Sequence, residues 1–278
     1  MTALLALLSS GLWGLSDFLG GTVSRRMPPL VVVGVSQLVA LVLLLPIAAG
    51  TGGFHARGYA LDAALAGLAG LVGLAAFYRA LATGTMGVVA PIAALSVAVP
   101  VLVGVLGGHA PGEVQAAGLA TAVAGVVLAS GPSAARPGGL RPLGLALLAA
   151  LGFGVTIVFI ARGSRGSVVM TLLVMRATGV SLLTLAALAL RHSPRVGRSD
   201  VPVLAATGIA DVCANACYAV ASTRGLLAVV AVLASLYPAV TVLLARRFHH
   251  EALRPVQGAG VAAALVGIAL IAAGGGTR

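Results

Sequence analysis

Apolar residues fall in long unbroken stretches along this chain, without the alternation of a strand or the stripe of a surface helix. Ten stretches cover about 3–20, 30–49, 59–82, 87–107, 114–131, 142–161, 168–190, 202–223, 227–245 and 255–274. A helix needs about 20 apolar residues to cross a hydrocarbon core about 30 Å thick, and each stretch is near that length. Transmembrane strands would show about 10 residues of alternating pattern instead, so helix is the remaining way to satisfy the backbone in lipid. The first stretch has no positively charged start and matches the later ones in length, so it reads as a span and not a leader. Turn and charge signals separate the stretches: Arg25-Arg26-Met27-Pro28-Pro29, Thr51-Gly52-Gly53, Gly108-His109-Ala110-Pro111-Gly112 and Arg191-His192-Ser193-Pro194. The run richest in Pro, Gly and Ser, 131–139, falls mid-chain. It divides the chain into 1–131, a linker at 132–141, and 142–278.

Composition agrees with this pattern. Of 278 residues, 60% are hydrophobic and 8% charged, against about 25% charged in soluble domains. So few charges exclude a soluble enzyme, a disordered chain and a secreted disulfide scaffold. The net charge of +11 comes from 17 arginines and six acids, with no lysine. The arginines stand singly or in pairs between apolar runs, which is a membrane-flanking pattern and excludes a nucleic-acid partner. The Ala, Gly, Val and Arg bias points to a GC-rich bacterial source and a cell membrane.

The halves repeat each other. Trp13-Gly14 aligns with Phe153-Gly154 and Tyr78 with Tyr218 at an offset of 140. Pro100 aligns with Pro238 at 138, and Gln115-x2-Gly118-x6-Gly125 with Gln257-x2-Gly260-x6-Gly267 at 142. Five spans per half is an odd number, so the second half enters the membrane from the opposite side. The expected fold is therefore an all-α integral membrane protein, with ten transmembrane helices forming two inverted five-helix repeats around a central cavity. Secondary transporters are built this way, with the site near the midplane where the repeats meet. Ten arginines lie in loops after odd-numbered spans and five on the other side, which by the positive-inside rule puts both termini outside.

Several short motifs carry a resemblance. Leu12-Trp13-Gly14 with Asp17-Phe18-Leu19-Gly20-Gly21 resembles the opening helix of the EamA family of the drug/metabolite transporter superfamily. Ala90-Pro91-Ile92 and Val99-Pro100-Val101 resemble its fourth helix. Ser235-Leu236-Tyr237-Pro238-Ala239-Val240-Thr241 and His250-Glu251-Ala252-Leu253-x3-Gln257-x2-Gly260 resemble its ninth and tenth. The resemblance spans nearly the whole chain and implies a ten-helix bundle moving small metabolites through a central cavity. One departure is His109, which stands where the family has a glutamate; Glu251 keeps that place in the second half.

Polar residues inside spans are candidate site residues, because an ionisable group at mid-bilayer costs several kcal/mol unless paired or hydrated. Asp211, Asn215, Tyr218 and Ser222 share one face of the eighth helix, while the third helix keeps only Tyr78 at the matching positions. Lining a cavity and bonding between helices are the two readings of that stripe. Arg176 and Asp211 lie at depths differing by roughly 5 Å in neighbouring helices and could pair. Either the pair is structural, or Arg176 meets an anionic substrate group while Asp211 takes a proton. Asp17 shares a face with Trp13 on the first helix; Arg79 either reaches Asp17 or snorkels to the surface. Gln37 is polar without an evident partner. Pro91, Pro100 and Pro238 are candidate hinges.

Other chemistry finds no support. Cys213-x3-Cys217 lacks a second ligand pair, His249-His250-Glu251 is not a zinc-peptidase motif, and no phosphate-cradling Gly-x4-Gly-Lys element occurs. No catalytic residue, metal or cofactor is expected. The expected function is a secondary transporter, exporter or permease, of small polar or amphipathic metabolites by alternating access, with proton coupling through Asp211 or Asp17 and a homodimer both open. The alternatives are a structural or sensory membrane protein and, less favoured, an enzyme acting on lipid-linked substrates.

Overall fold

A computed structural model describes residues 2–51, 58–99, 112–130, 140–189, 196–224, 230, 233–234, 236–250 and 255–274. Among them are ten α-helices: α1 (Thr2–Val23), α2 (Pro29–Gly50), α3 (Ala60–Thr83), α4 (Met86–Ala93), α5 (Glu113–Ser130), α6 (Arg141–Gly163), α7 (Val168–Ala189), α8 (Val201–Arg224), α9 (Tyr237–His249) and α10 (Pro255–Gly274). Six of these, α1–α3 and α6–α8, are long and apolar enough to cross a membrane. α4 and part of α10 are shorter apolar helices. Proline opens several of the helices where its missing N–H has no partner to lose: Pro29 in α2, Pro142 in α6 and Pro238 in α9.

The fourth stretch is not one uninterrupted helix. α4 passes into a 3₁₀ turn at Ala94–Val97, just after Pro91, whose ring removes a donor and crowds the carbonyl one turn back. Pro100, the Gly104-x3-Gly108 pair, His109, the 131–139 linker and Glu251 lie outside the described residues. The ninth helix runs to His249 and ends on His250, which takes a left-handed conformation at φ 51°. Leu4, Leu43, Leu61, Leu185 and Leu243 are among the large apolar side chains exposed on the bundle's outer surface, where lipid would cover them.

The most intimate contacts pair α1 with α8, α3 with α6, and α5 with α10. Small residues let the backbones meet, as where a Cβ on Gly152 of α6 would sit 2.7 Å from the Gly73 Cα of α3, and they bring further helices equally close. A Cβ on Gly67 of α3 would sit 2.5 Å from the Met175 carbonyl oxygen of α7, and one on Gly208 of α8 2.5 Å from the Ser36 carbonyl oxygen of α2. Gly14 meets α9 at the Tyr237 carbonyl, and Gly154 meets the 3₁₀ turn at the Ser96 carbonyl. Each contact thus has a counterpart when the halves are exchanged. The hydroxyls follow the same rule: Ser16 donates to the Thr207 carbonyl at 3.0 Å, and Thr156 to the Ala66 carbonyl at 3.4 Å. So do the ion pairs at the helix ends, Arg26–Asp200 at 2.7 Å and Arg162–Asp62 at 3.3 Å. Both arginines are largely exposed, so these pairs fix register more than they stabilise.

Gly125 lies against the α10 backbone, where an added Cβ would come 2.7 Å from the Gly260 carbonyl oxygen, whereas Gly144 faces open space. Gly125→Ala is expected to destabilise the protein by about 1–3 kcal/mol through overpacking. Gly144→Ala should be neutral or slightly stabilising. Thermal unfolding in detergent checks the difference.

Candidate functional site

The paired helices leave a partly open cavity of about 100 Å³ between the halves. The first half contributes Trp13 and Asp17 from α1, Gln37 from α2, Gly67, Gly70 and Leu74 from α3, and Ser96 from the 3₁₀ turn. The second contributes Phe153, Thr156 and Ile157 from α6, Met175 and Arg176 from α7, Asp211 and Asn215 from α8, and Tyr237 from α9.

Its polar centre is a four-residue network. Arg176 is 3% exposed. Its Nη1 donates to Gln37 Oε1 at 2.7 Å, and its Nη2 lies 2.7 Å from Asp211 Oδ2. Asn215 Nδ2 donates to Asp211 Oδ1 at 3.2 Å and to the Asp211 carbonyl at 2.7 Å. Gln37 and Arg176 are 139 residues apart, close to the offset that relates the halves. They therefore occupy nearly matching places in the two repeats, and they touch each other. Arg176 Nε and Nη2 have no hydrogen-bond partner among the described residues, so the contact with Asp211 is one of charge.

Aromatic rings form the wall beside Asp17. The Trp13 ring lies 5.5 Å from that of Tyr218 and 6.2 Å, edge-on, from that of Tyr237. The Tyr237 hydroxyl is buried with no hydrogen-bond partner among the described residues. Asp17 itself is 8% exposed and has no ion pair or hydrogen bond among the described residues.

Beyond Asp17 toward the C-terminal end of α1, the bundle is closely packed. The Phe18 ring lies 5.6 Å from Phe248 and 5.2 Å from His249 of α9. The Tyr78 ring fills the space over Gly20, and Leu81 and Met86 crowd Gly21. Thr22 Oγ1 stands 2.7 Å from the Phe18 carbonyl and 2.8 Å from His249 Nε2. The hydroxyl has one proton, donated to the carbonyl, so it accepts from a His249 Nε2–H.

The structure thus brings Trp13, Asp17, Gln37, Arg176, Asp211 and Asn215 to one cavity. Tyr218 stands behind Trp13, Tyr78 is packed away over Gly20, and the Ser222 hydroxyl bonds the Ala219 carbonyl of its own helix. Arg79 is exposed and forms no ion pair with Asp17. Pro91 lies within α4, and Pro238 sits in the first turn of α9. Sequence reasoning did not single out Tyr237, Phe153, Thr156, Ser96 or Met175. Repeat symmetry was the available signal, since Phe153 and Thr156 stand 140 residues after Trp13 and Ser16. No cluster of three metal-ligating side chains occurs among the described residues, where Cys213 and Cys217 are free.

Six helices long and apolar enough to cross a membrane, packed around a cavity, define a multi-pass membrane protein. The chain belongs to the EamA-like transporter family, whose profile matches residues 1–131 and again 140–273. A solved crystal structure of a protein 18% identical in sequence covers 97% of this chain, and 95% of its own chain is covered in return. The TM-score of 0.67 shows a shared fold. No curated protein matches the chain.

Removing one partner from a buried ion pair is expected to cost about 3–5 kcal/mol, whereas apolar replacement of both is near neutral. Asp211→Asn and Arg176→Met should therefore each destabilise the fold, and Arg176→Met combined with Asp211→Leu should recover much of the loss. Detergent unfolding of the three variants measures this. Simple additivity would count against the pair as a coupled unit.

Proposed function

We propose that this chain is a secondary transporter of small polar or amphipathic metabolites, working by alternating access between two inverted five-helix repeats. Under this reading the repeats are 1–131 and 142–278, joined by the 132–141 segment. The observation that carries the proposal is the cavity, which draws lining residues from both halves and has Gln37 hydrogen-bonded to its near-counterpart Arg176 at its centre. Contact between nearly equivalent residues of two repeats places them beside the axis that relates the repeats. That is where a site must lie if exchanging the two conformations is to open it to the other side.

The packing beyond Asp17 is the closed gate in this reading. Phe18, Phe248, His249, Tyr78 and Met86 seal one end, while Ile157 and Thr156 line the cavity away from it. Asp17 and Asp211 are the carboxyls in reach of a coupling proton. Arginine distribution puts both termini outside a bacterial cell membrane.

The gate is open to a direct test. Metabolite profiling of cells overproducing the wild-type chain, against an empty vector, identifies the compounds it redistributes. In vesicles carrying Thr22→Cys and His249→Cys, a short methanethiosulfonate crosslinker is expected to abolish movement of those compounds, and reduction to restore it. Undiminished movement in the crosslinked protein would overturn the gate and the access mechanism built on it.

A further inference from the structure

The charges around the cavity do not balance. Asp17, Arg176 and Asp211 are the charged side chains among its described lining residues. Arg176 and Asp211 cancel at 2.7 Å, which leaves Asp17 uncompensated. Elsewhere, Asp62 and Asp200 are also paired with arginines. Asp17 differs from all three in being buried without a cation or a hydrogen-bond donor among the described residues. A carboxylate held so in an apolar setting is costly unless it takes up a proton or a positive charge joins it, so a cationic ligand and a proton compete for the same place.

The charge of Arg176 is already met by Asp211 at 2.7 Å, so an incoming anion would have to compete with that carboxylate. Its Nη1 donates to Gln37, while Nε and Nη2 are fully buried and make no hydrogen bond among the described residues. The groups around Asp17 suit a cation instead. Trp13 lies one helical turn before Asp17 on the same face, and tryptophan is the side chain whose ring face attracts cations best. The Tyr237 ring stands 6.2 Å from that of Trp13, with its buried hydroxyl oxygen free to accept an N–H bond.

We infer that the cavity selects organic monocations: an ammonium group held by Asp17 and the Tyr237 hydroxyl, on an apolar body seated against Trp13. This rests on the cavity being the transport site and deepens it by naming the charge and chemical class of the substrate. The anionic-group role open to Arg176 from the sequence would add a second anion to a guanidinium whose charge Asp211 already meets.

The single tryptophan is Trp13, so its emission reports occupancy of the cavity alone. The full-length chain in detergent is titrated with phenethylammonium, hydrocinnamate and phenethyl alcohol, which share a phenyl body and differ in charge. Phenethylammonium is expected to change the emission saturably and to bind at least about tenfold tighter than the other two. Asp17→Asn should reduce its affinity to that of the alcohol, while Asp17→Glu, which keeps the charge, should retain most of it. The glutamate variant separates loss of charge from loss of fold.

Three results would overturn the inference: hydrocinnamate binding as tightly as the ammonium, Asp17→Asn binding the ammonium undiminished, or no emission change with phenethylammonium. Any of these, alongside metabolite movement that still stops when Thr22 and His249 are crosslinked, removes the charge assignment and leaves transport standing. Loss of the crosslinking effect with ammonium binding intact does the reverse.

Discussion

Lipid gives two helices no hydrophobic reason to associate, because an apolar side chain gains as much from an acyl chain as from another helix. Association must come from close backbone approach and the dispersion contacts it permits, which requires small residues where helices cross. Gly67 against Met175, Gly208 against Ser36, Gly14 against Tyr237 and Gly154 against Ser96 meet that requirement. So do Gly118 and Gly125, which bring α5 against α10. These contacts decide which helices lie together, and hence where they do not. The cavity is the space left at the centre, lined from both halves.

That space forces the second feature of the protein. A guanidinium near mid-bilayer must find acceptors inside the bundle, and Arg176 finds them in Gln37 and Asp211. Asn215 then holds the carboxylate from the side away from Arg176. The network ties α2, α7 and α8 together near the axis that would relate the halves. One carboxylate, Asp17, is left outside it, one turn from an aromatic wall. Under the proposed reading, the stabilising and the substrate-directed polar chemistry sit in the same cavity but on different residues, so a ligand could bind and leave without breaking the bundle's central pair.

Much of this was legible in the sequence. The ten apolar stretches, the family, the repeat offset and the polar residues Trp13, Asp17, Gln37, Arg176, Asp211 and Asn215 all follow from linear pattern. Length against bilayer thickness and the cost of burying charge are local constraints, written into each span by itself. The helical face left two readings open for Tyr218 and Ser222, lining a cavity or bonding within the bundle. A shared face says which way a side chain points, but not whether a neighbour such as Trp13 or the helix's own carbonyl already occupies that direction.

Which polar residues satisfy one another was decided only by the tertiary structure. Arg79 and Arg176 are both single arginines within apolar spans, yet one faces outward and the other lies buried on Gln37 and Asp211. Tyr237 gives no sign in the linear pattern that its hydroxyl would be buried without a partner. Pairing depends on the rotation and depth of helices far apart in the chain, set by where small residues let backbones meet. The sequence determined that there would be spans, repeats and buried charges; three-dimensional packing chose which charges cancel and which one is left without a partner among the described residues.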